Sequence, residues 1–228
     1  MGRIGWKLGP DARFGNPDHP WNVAWRKHHQ ANSGIKGLEL HNALVEGFEV
    51  AAAAGFHRDG FCVVTNALVG EDLVRMQAAS DAVVREMMAL DPLHVGNRGS
   101  HRYSFGPGGS FTGHQMHRIE WAQLLIDNEA CRKVMTEIWG SRDYVCKGGG
   151  GDFVLPGCPN IQPLHEDMGN ALRDPSGRMT HRDLPPPACT CNFLMCDVNW
   201  ENGPIRQVRA FLARSPWLQP LLQWRKVH

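Results

Sequence analysis

Over the first 37 residues the apolar positions keep no period. Gly, Pro, Asn and Trp dominate, and the segment reads as an irregular arm packed through Trp6, Trp21 and Trp25. From Leu38 the pattern becomes helical, with Leu40, Leu44, Phe48 and Ala51 or Ala52 three and four apart, and Gly55 is expected to close that helix. FCVVT (61–65) predicts a short β-branched strand. A second amphipathic helix is predicted over Glu71–Leu90, with Leu73, Met76, Val83, Val84, Met87 and Met88 on its apolar face. The polar, Gly-rich stretch NRGSHRYSFGPGGSFTG (97–113) reads as a loop. Two shorter helices follow, around Glu120–Ile126 and over Asn128–Trp139, the latter opened by Asp127 or Asn128 and ended by Gly140.

The texture changes at Asp143. YVCKG, DFVLPG, NIQPLHEDM and CNFLMCDV read as strands separated by turns, with a further turn at WENGP. Helices first and strands afterwards argue for an α+β layout, a mainly antiparallel sheet carrying an N-terminal helical layer.

Composition removes some functions. The 228 residues carry a formal net charge of +1, with Lys and Arg spread along the chain, so no basic stripe offers a nucleic-acid surface. The N-terminal stretch has no uninterrupted apolar core, so neither a secretory signal nor a membrane span is expected there. An intracellular, cytoplasmic protein is the expectation. The seven cysteines, at 62, 131, 146, 158, 189, 191 and 196, form no disulfide framework. Cys189-Thr190-Cys191 followed by Cys196 lacks the two-residue loop and the second pair of a zinc site, and Cys191 falls in the strand-like run CNFLMCDV. Buried, reduced thiols are expected.

Three H-x-D triplets occur, and context separates them. His57-Arg58-Asp59, between Gly55 and Gly60, and His181-Arg182-Asp183, against Leu184-Pro185-Pro186-Pro187, read as surface polar pairs in turns or loops. His165-Glu166-Asp167 follows a strand, a Pro–Gly turn and a second extended segment. On a strand, residues i and i+2 share a face, so an imidazole nitrogen and a carboxylate oxygen could lie side by side around one cation. A hydrogen-bonded His–Asp pair at a sheet rim fits the same spacing. If a second His joined them, the set would suit non-haem Fe(II) with open positions.

GFHRDGFCVVTNALVGEDL (55–73), HRYSFG (101–106), EWAQLLIDN (120–128), GGDFVLPGCPNIQPLHEDMG (150–169) and CNFLMCDVNWENGPIRQ (191–207) stand in an order that resembles the phytanoyl-CoA dioxygenase family, over roughly residues 45 to 207. The resemblance implies a double-stranded β-helix (jelly roll) with an N-terminal helical layer, holding Fe(II) and using 2-oxoglutarate as co-substrate with O₂. It implies His165 and Asp167 as iron ligands, and Gln162 and Asn192 as polar groups lining the pocket. A small-molecule or acyl substrate is implied, without further definition. The domain so outlined spans 38–207, after the arm 1–37 and before a divergent tail 208–228.

The family pattern continues beyond an N-G-P-like segment into a Pro-Gly-Ser/Thr-His turn, a distal His and an Arg. After Gln207 this chain reads VRAFLARSPWLQPLLQWRKVH instead. Beyond Asp167 only His181 and His228 remain, and no Arg follows His228. An incomplete jelly roll, weak iron binding and slow turnover are therefore expected, with His228 the remaining third-ligand candidate. A non-catalytic jelly-roll fragment serving as a binding or structural remnant is the alternative. A nucleotide site at Lys147-Gly148-Gly149-Gly150-Gly151-Asp152 is disfavoured, because no Gly-Lys-Ser/Thr follows and the run precedes a strand.

Overall fold

The first regular element is a strand. β1 (Leu40–Asn42) pairs in parallel with β2 (Val63–Thr65), Leu40 opposite Val63 and Asn42 opposite Thr65. The structure, a computed structural model, describes residues 38–106, 115–158, 162, 165, 174–179, 185–198, 202, 203, 205 and 207, together with 23 and 27. The expectations for Asp167, the triplet at 181–183, the tail 208–228 with His228, and the arm 1–37 lie outside the described residues. Val23 and Lys27, the described positions of that arm, have helical backbone.

β1 corrects the helix expected from Leu38. Leu40 and Leu44 match the helical spacing but are exposed, so their periodicity reports no buried face. Asn42 decides the local geometry. Its side-chain oxygen accepts from the Leu44 amide at 3.0 Å and from Asn66 Nδ2 at 2.8 Å, turning the chain out of β1. Helix α1 then spans Phe48–Asp59 and ends at Gly60, whose φ of 83° and N–H to the Phe56 carbonyl close the last turn. Gly55 does not end it. A Cβ there would lie 3.2 Å from His41 Nε2, so the glycine gives the β1 imidazole room against the helix.

α2 (Gly70–Leu90) lies within one residue of its predicted bounds and buries Met76, Val83 and Met87. Trp121–Ile126, expected as an ordinary helix, is a π-helical turn, with the Asp127 amide reaching back five residues to the Ala122 carbonyl at 3.2 Å. α3 (Glu129–Trp139) begins at Asn128, whose side-chain oxygen accepts from the Cys131 amide at 3.1 Å, and ends at Gly140. The Asn128 amide also donates to the Ala67 carbonyl at 2.7 Å, tying the start of α3 to the segment after β2.

Two apolar clusters result. α1 packs on α3 through Phe48, Ala52, Ala53, Ala130, Val134 and Ile138. The other cluster joins Met76, Val83 and Met87 of α2 to Tyr103, Phe105, Trp121 and Leu124. It is roofed by β3 (Arg102–Ser104), antiparallel to β4 (Asp152–Val154). β4 falls within the predicted DFVLPG strand, whereas β3 lies inside the expected Gly-rich loop. Tyr103 and Phe105 alternate into the core, and the Asn97 side chain substitutes for a strand neighbour, accepting from the Ser104 amide and donating to its carbonyl at 2.8 and 2.7 Å.

The glycine run has a packing reason. The Gly151 carbonyl accepts from the Phe105 amide at 2.9 Å, and that of Gly150 from Trp121 Nε1 at 3.3 Å. A Cβ on Gly150 would overlap the Phe105 carbonyl, and one on Gly151 would enter the Phe105 ring. These glycines let backbone lie against an aromatic core.

The mixed α and β character expected from the sequence is present. Among the described residues the sheet consists of the β1–β2 and β3–β4 pairs. YVCKG (144–148) and CNFLMCDV (191–198) have irregular backbone, with Val145, Cys146, Leu194 and Cys196 exposed, so their apolar residues do not alternate into a core. Gln162 and His165 also lie outside any strand. Pro159 and Pro163 in that stretch have no amide hydrogen to give a ladder. The turn expected at WENGP agrees with Gly203, whose φ is 79°.

Candidate metal centre

β3 carries the first residue of the site, Arg102. With Tyr103 buried beneath the sheet, Arg102 and Ser104 take the opposite face. Arg102 Nη2 donates to Gln162 Oε1 at 2.5 Å, and Gln162 Nε2 stands 3.1 Å from His165 Nε2. The guanidinium thereby sets which end of the Gln162 amide faces the ring. An amide nitrogen only donates, so in this contact the acceptor is the His165 Nε2 lone pair. A lone pair on an imidazole nitrogen is also what a divalent metal takes. His165 Nε2 is a donor atom of the type a metal ion takes, and the Gln162 amide stands against it.

His165 and Gln162 are thus brought together, and both are exposed. Asp167 lies outside the described residues. Asn192 is exposed on the 185–198 segment, which is anchored elsewhere: Trp139 Nε1 donates to the Pro186 carbonyl at 2.7 Å and Gln77 Nε2 to the Met195 carbonyl at 2.9 Å. Among the described residues no group of three or more His, Cys, Asp or Glu is arranged to hold a metal ion. An open groove of about 360 Å³ at the start of α3, lined by Phe48, Asn66, Asp72, Asn128 and Lys133 among others, contains none of the predicted site residues.

His57-Arg58-Asp59 is helical, which corrects the turn expected there. The triplet forms the last turn of α1, where residues two apart point to nearly opposite sides. Arg58 bonds Asp59 at 2.8 Å and Glu39 at 3.1 Å, so the triplet serves a structural ion pair.

Sequence reasoning missed Arg102 and the buttress behind it. Asp91, just after α2, accepts from the Gly96 amide at 2.7 Å and from the buried Tyr103 hydroxyl at 2.9 Å. The Gly96 N–H, helped by that hydroxyl, holds the Asp91 carboxyl below the usual carboxylate range. Burial, and then the bond to Asp91, push the Tyr103 phenol up to about 12. The Tyr103 ring stacks on Phe153 at 4.7 Å, so one buried side chain fixes β3 to both β4 and the loop after α2. The signal was legible: in HRYSFG, polar and aromatic residues alternate from Arg102 to Phe105.

No helix among the described residues is long and apolar enough to cross a membrane. The chain matches no curated protein and no solved structure. Residues 56–209, more than half of the chain, match the model of the phytanoyl-CoA dioxygenase (PhyH) family, a range close to that read from the ordered motifs. On that match, the chain belongs to the phytanoyl-CoA dioxygenase family.

Proposed function

We propose that the domain over residues 38–207 is an Fe(II)- and 2-oxoglutarate-dependent oxygenase acting on a small-molecule or acyl substrate. The observation that carries the reading is the family match, whose span of 56–209 contains the whole His165-Glu166-Asp167 block. His165 and Asp167 are the residues assigned to the metal, and the jelly roll of the family is the fold assigned to the domain. Bound iron would supply O₂ activation coupled to oxidative decarboxylation of the keto acid to succinate and CO₂.

The chain's own residues supply binding and charge. The Nε2 lone pair of His165 is the metal-accepting atom. Arg102 sets a permanent cation one residue away from that ring through Gln162, suited to a dianionic co-substrate. Gln162 supplies the polar contact between them, and Asn192 is retained as a candidate pocket residue. The third ligand is left to His228.

The test is succinate release by the full chain under air with Fe(II) and 2-oxoglutarate, against Asp167→Ala. We expect slow turnover that falls at least about tenfold in the variant. Equal succinate release from both would support the non-catalytic reading instead.

A further inference from the structure

The loop between α2 and β3 holds two histidines in a backbone conformation that residues other than glycine seldom take. His94 has a φ of 53° and His101 a φ of 62°, both in the left-handed region. Backbone bonds impose it. The His94 amide donates to the Asp91 carbonyl at 3.0 Å, the His101 amide to the His94 carbonyl at 3.1 Å, and the Leu155 amide to the His101 carbonyl at 2.9 Å. Gly96 folds the loop closely on itself, since a Cβ there would overlap the Gly99 and Arg102 carbonyls. Both histidine backbones are therefore fixed, and their rings meet with centroids 5.6 Å apart and planes at 67°.

That separation suits a shared ion. A metal bonded to one nitrogen of each ring at about 2.0–2.1 Å, with the two bonds at a tetrahedral angle, puts the centroids roughly 5 Å apart. A small turn of either ring closes the difference. Ring packing alone gives the same contact, so the nitrogens decide. Among the described residues no hydrogen bond reaches a ring nitrogen of His94. His101 engages Nδ1, which stands 2.8 Å from Ser100 Oγ. A serine oxygen accepting from Nδ1–H leaves the lone pair on Nε2, and an oxygen behind the ring is the usual support of a metal-bound imidazole. Both rings are half-buried and so remain within reach of solvent ions. The Asp91 carboxylate, held by the Gly96 amide and the Tyr103 hydroxyl, places negative charge near His94.

We propose that His94 and His101 form a second metal site, for a divalent transition-metal ion such as Zn(II), with water in the remaining positions. Two imidazoles suit zinc, copper or nickel, whereas magnesium and calcium take oxygen ligands. The pair shares no residue with the centre assigned to iron. Its link to that centre is β3: His101 immediately precedes Arg102, whose guanidinium meets Gln162. A bound ion joins the end of α2 to the start of β3 and steadies the strand that carries Arg102, without entering the oxidation.

The test is diethyl pyrocarbonate labelling of the full chain with and without Zn(II), read for each histidine by peptide mass spectrometry. We expect Zn(II) to suppress labelling of His94 and His101 together, while the exposed His57 is labelled equally in both conditions. Mg(II) should protect neither. Asn tolerates the left-handed backbone, so His94→Asn and His101→Asn remove one imidazole each without straining the loop. In either variant the remaining histidine should label as it does without metal. Protection should be unchanged in His165→Ala, which separates this site from the iron assignment. Protection of neither histidine or of only one, protection that survives loss of the partner ring, or protection lost in His165→Ala would overturn the proposal.

Discussion

Tyr103 shows how one residue fixes a site it does not enter. Its ring is buried between α2 and β4, and its hydroxyl holds Asp91 at 2.9 Å. Tyr103→Phe keeps the stacking and removes the hydroxyl, and should cost about 1.5–3 kcal/mol in urea unfolding, the range for a hydrogen bond to a charged group. The pH dependence follows from the two directions. The Asp91 carboxyl is lowered in the folded chain, so its contribution is present above the unfolded value of about 3.9 and is lost as pH falls through the lower folded value. The Tyr103 phenol is raised, so its contribution is full below about 10 and lost as pH rises through about 12. Acid and alkaline unfolding of the wild type and Tyr103→Phe, followed by circular dichroism, check both. The alkaline loss attributable to residue 103 should vanish in the variant, and the acid loss should shrink while the Gly96 contact remains.

At the scale of elements, the most legible parts were those whose ends are set by chemistry close in sequence. α3 has an Asn at its start and a Gly at its end, and both bounds were readable from the residues. Asn128→Ala removes the cap and the bond to the Ala67 carbonyl together, and should lower stability by about 1–2 kcal/mol in thermal or urea unfolding. Asn128→Ser, which restores a capping oxygen without the amide donor, should recover part of that loss. Long-range pairing was harder to see. β1 was hidden because Leu40 and Leu44 imitate a helical period, while the pairing with β2 is made by backbone groups about twenty residues away. β3 was hidden by the glycines around it, although its alternation was present in the residues. The strand reading of 191–198 failed because its apolar residues are spent on anchors and exposed positions rather than on a partner strand. The KGGGGD run was expected to precede a strand, and β4 follows it; the packing reason for its glycines lies in the Phe105 ring and carbonyl. Gly150→Ala should therefore destabilise by about 1–3 kcal/mol, with urea unfolding as the check.

At the scale of the whole molecule, the ordered motifs carried the family, and the match over 56–209 bears that out. The candidate site was legible only in part. His165 and Gln162 were named from the sequence and stand 3.1 Å apart, but Arg102, sixty residues earlier than Gln162, enters only through the fold. The central claim is that His165 is a metal ligand. Anaerobic equilibrium dialysis of Fe(II) against the full chain, with and without 2-oxoglutarate, tests it most directly when repeated with His165→Ala. We predict iron retention by the wild type that tightens with the keto acid and weakens about tenfold or more in the variant. Equal retention by the two proteins, in both conditions, would contradict the account.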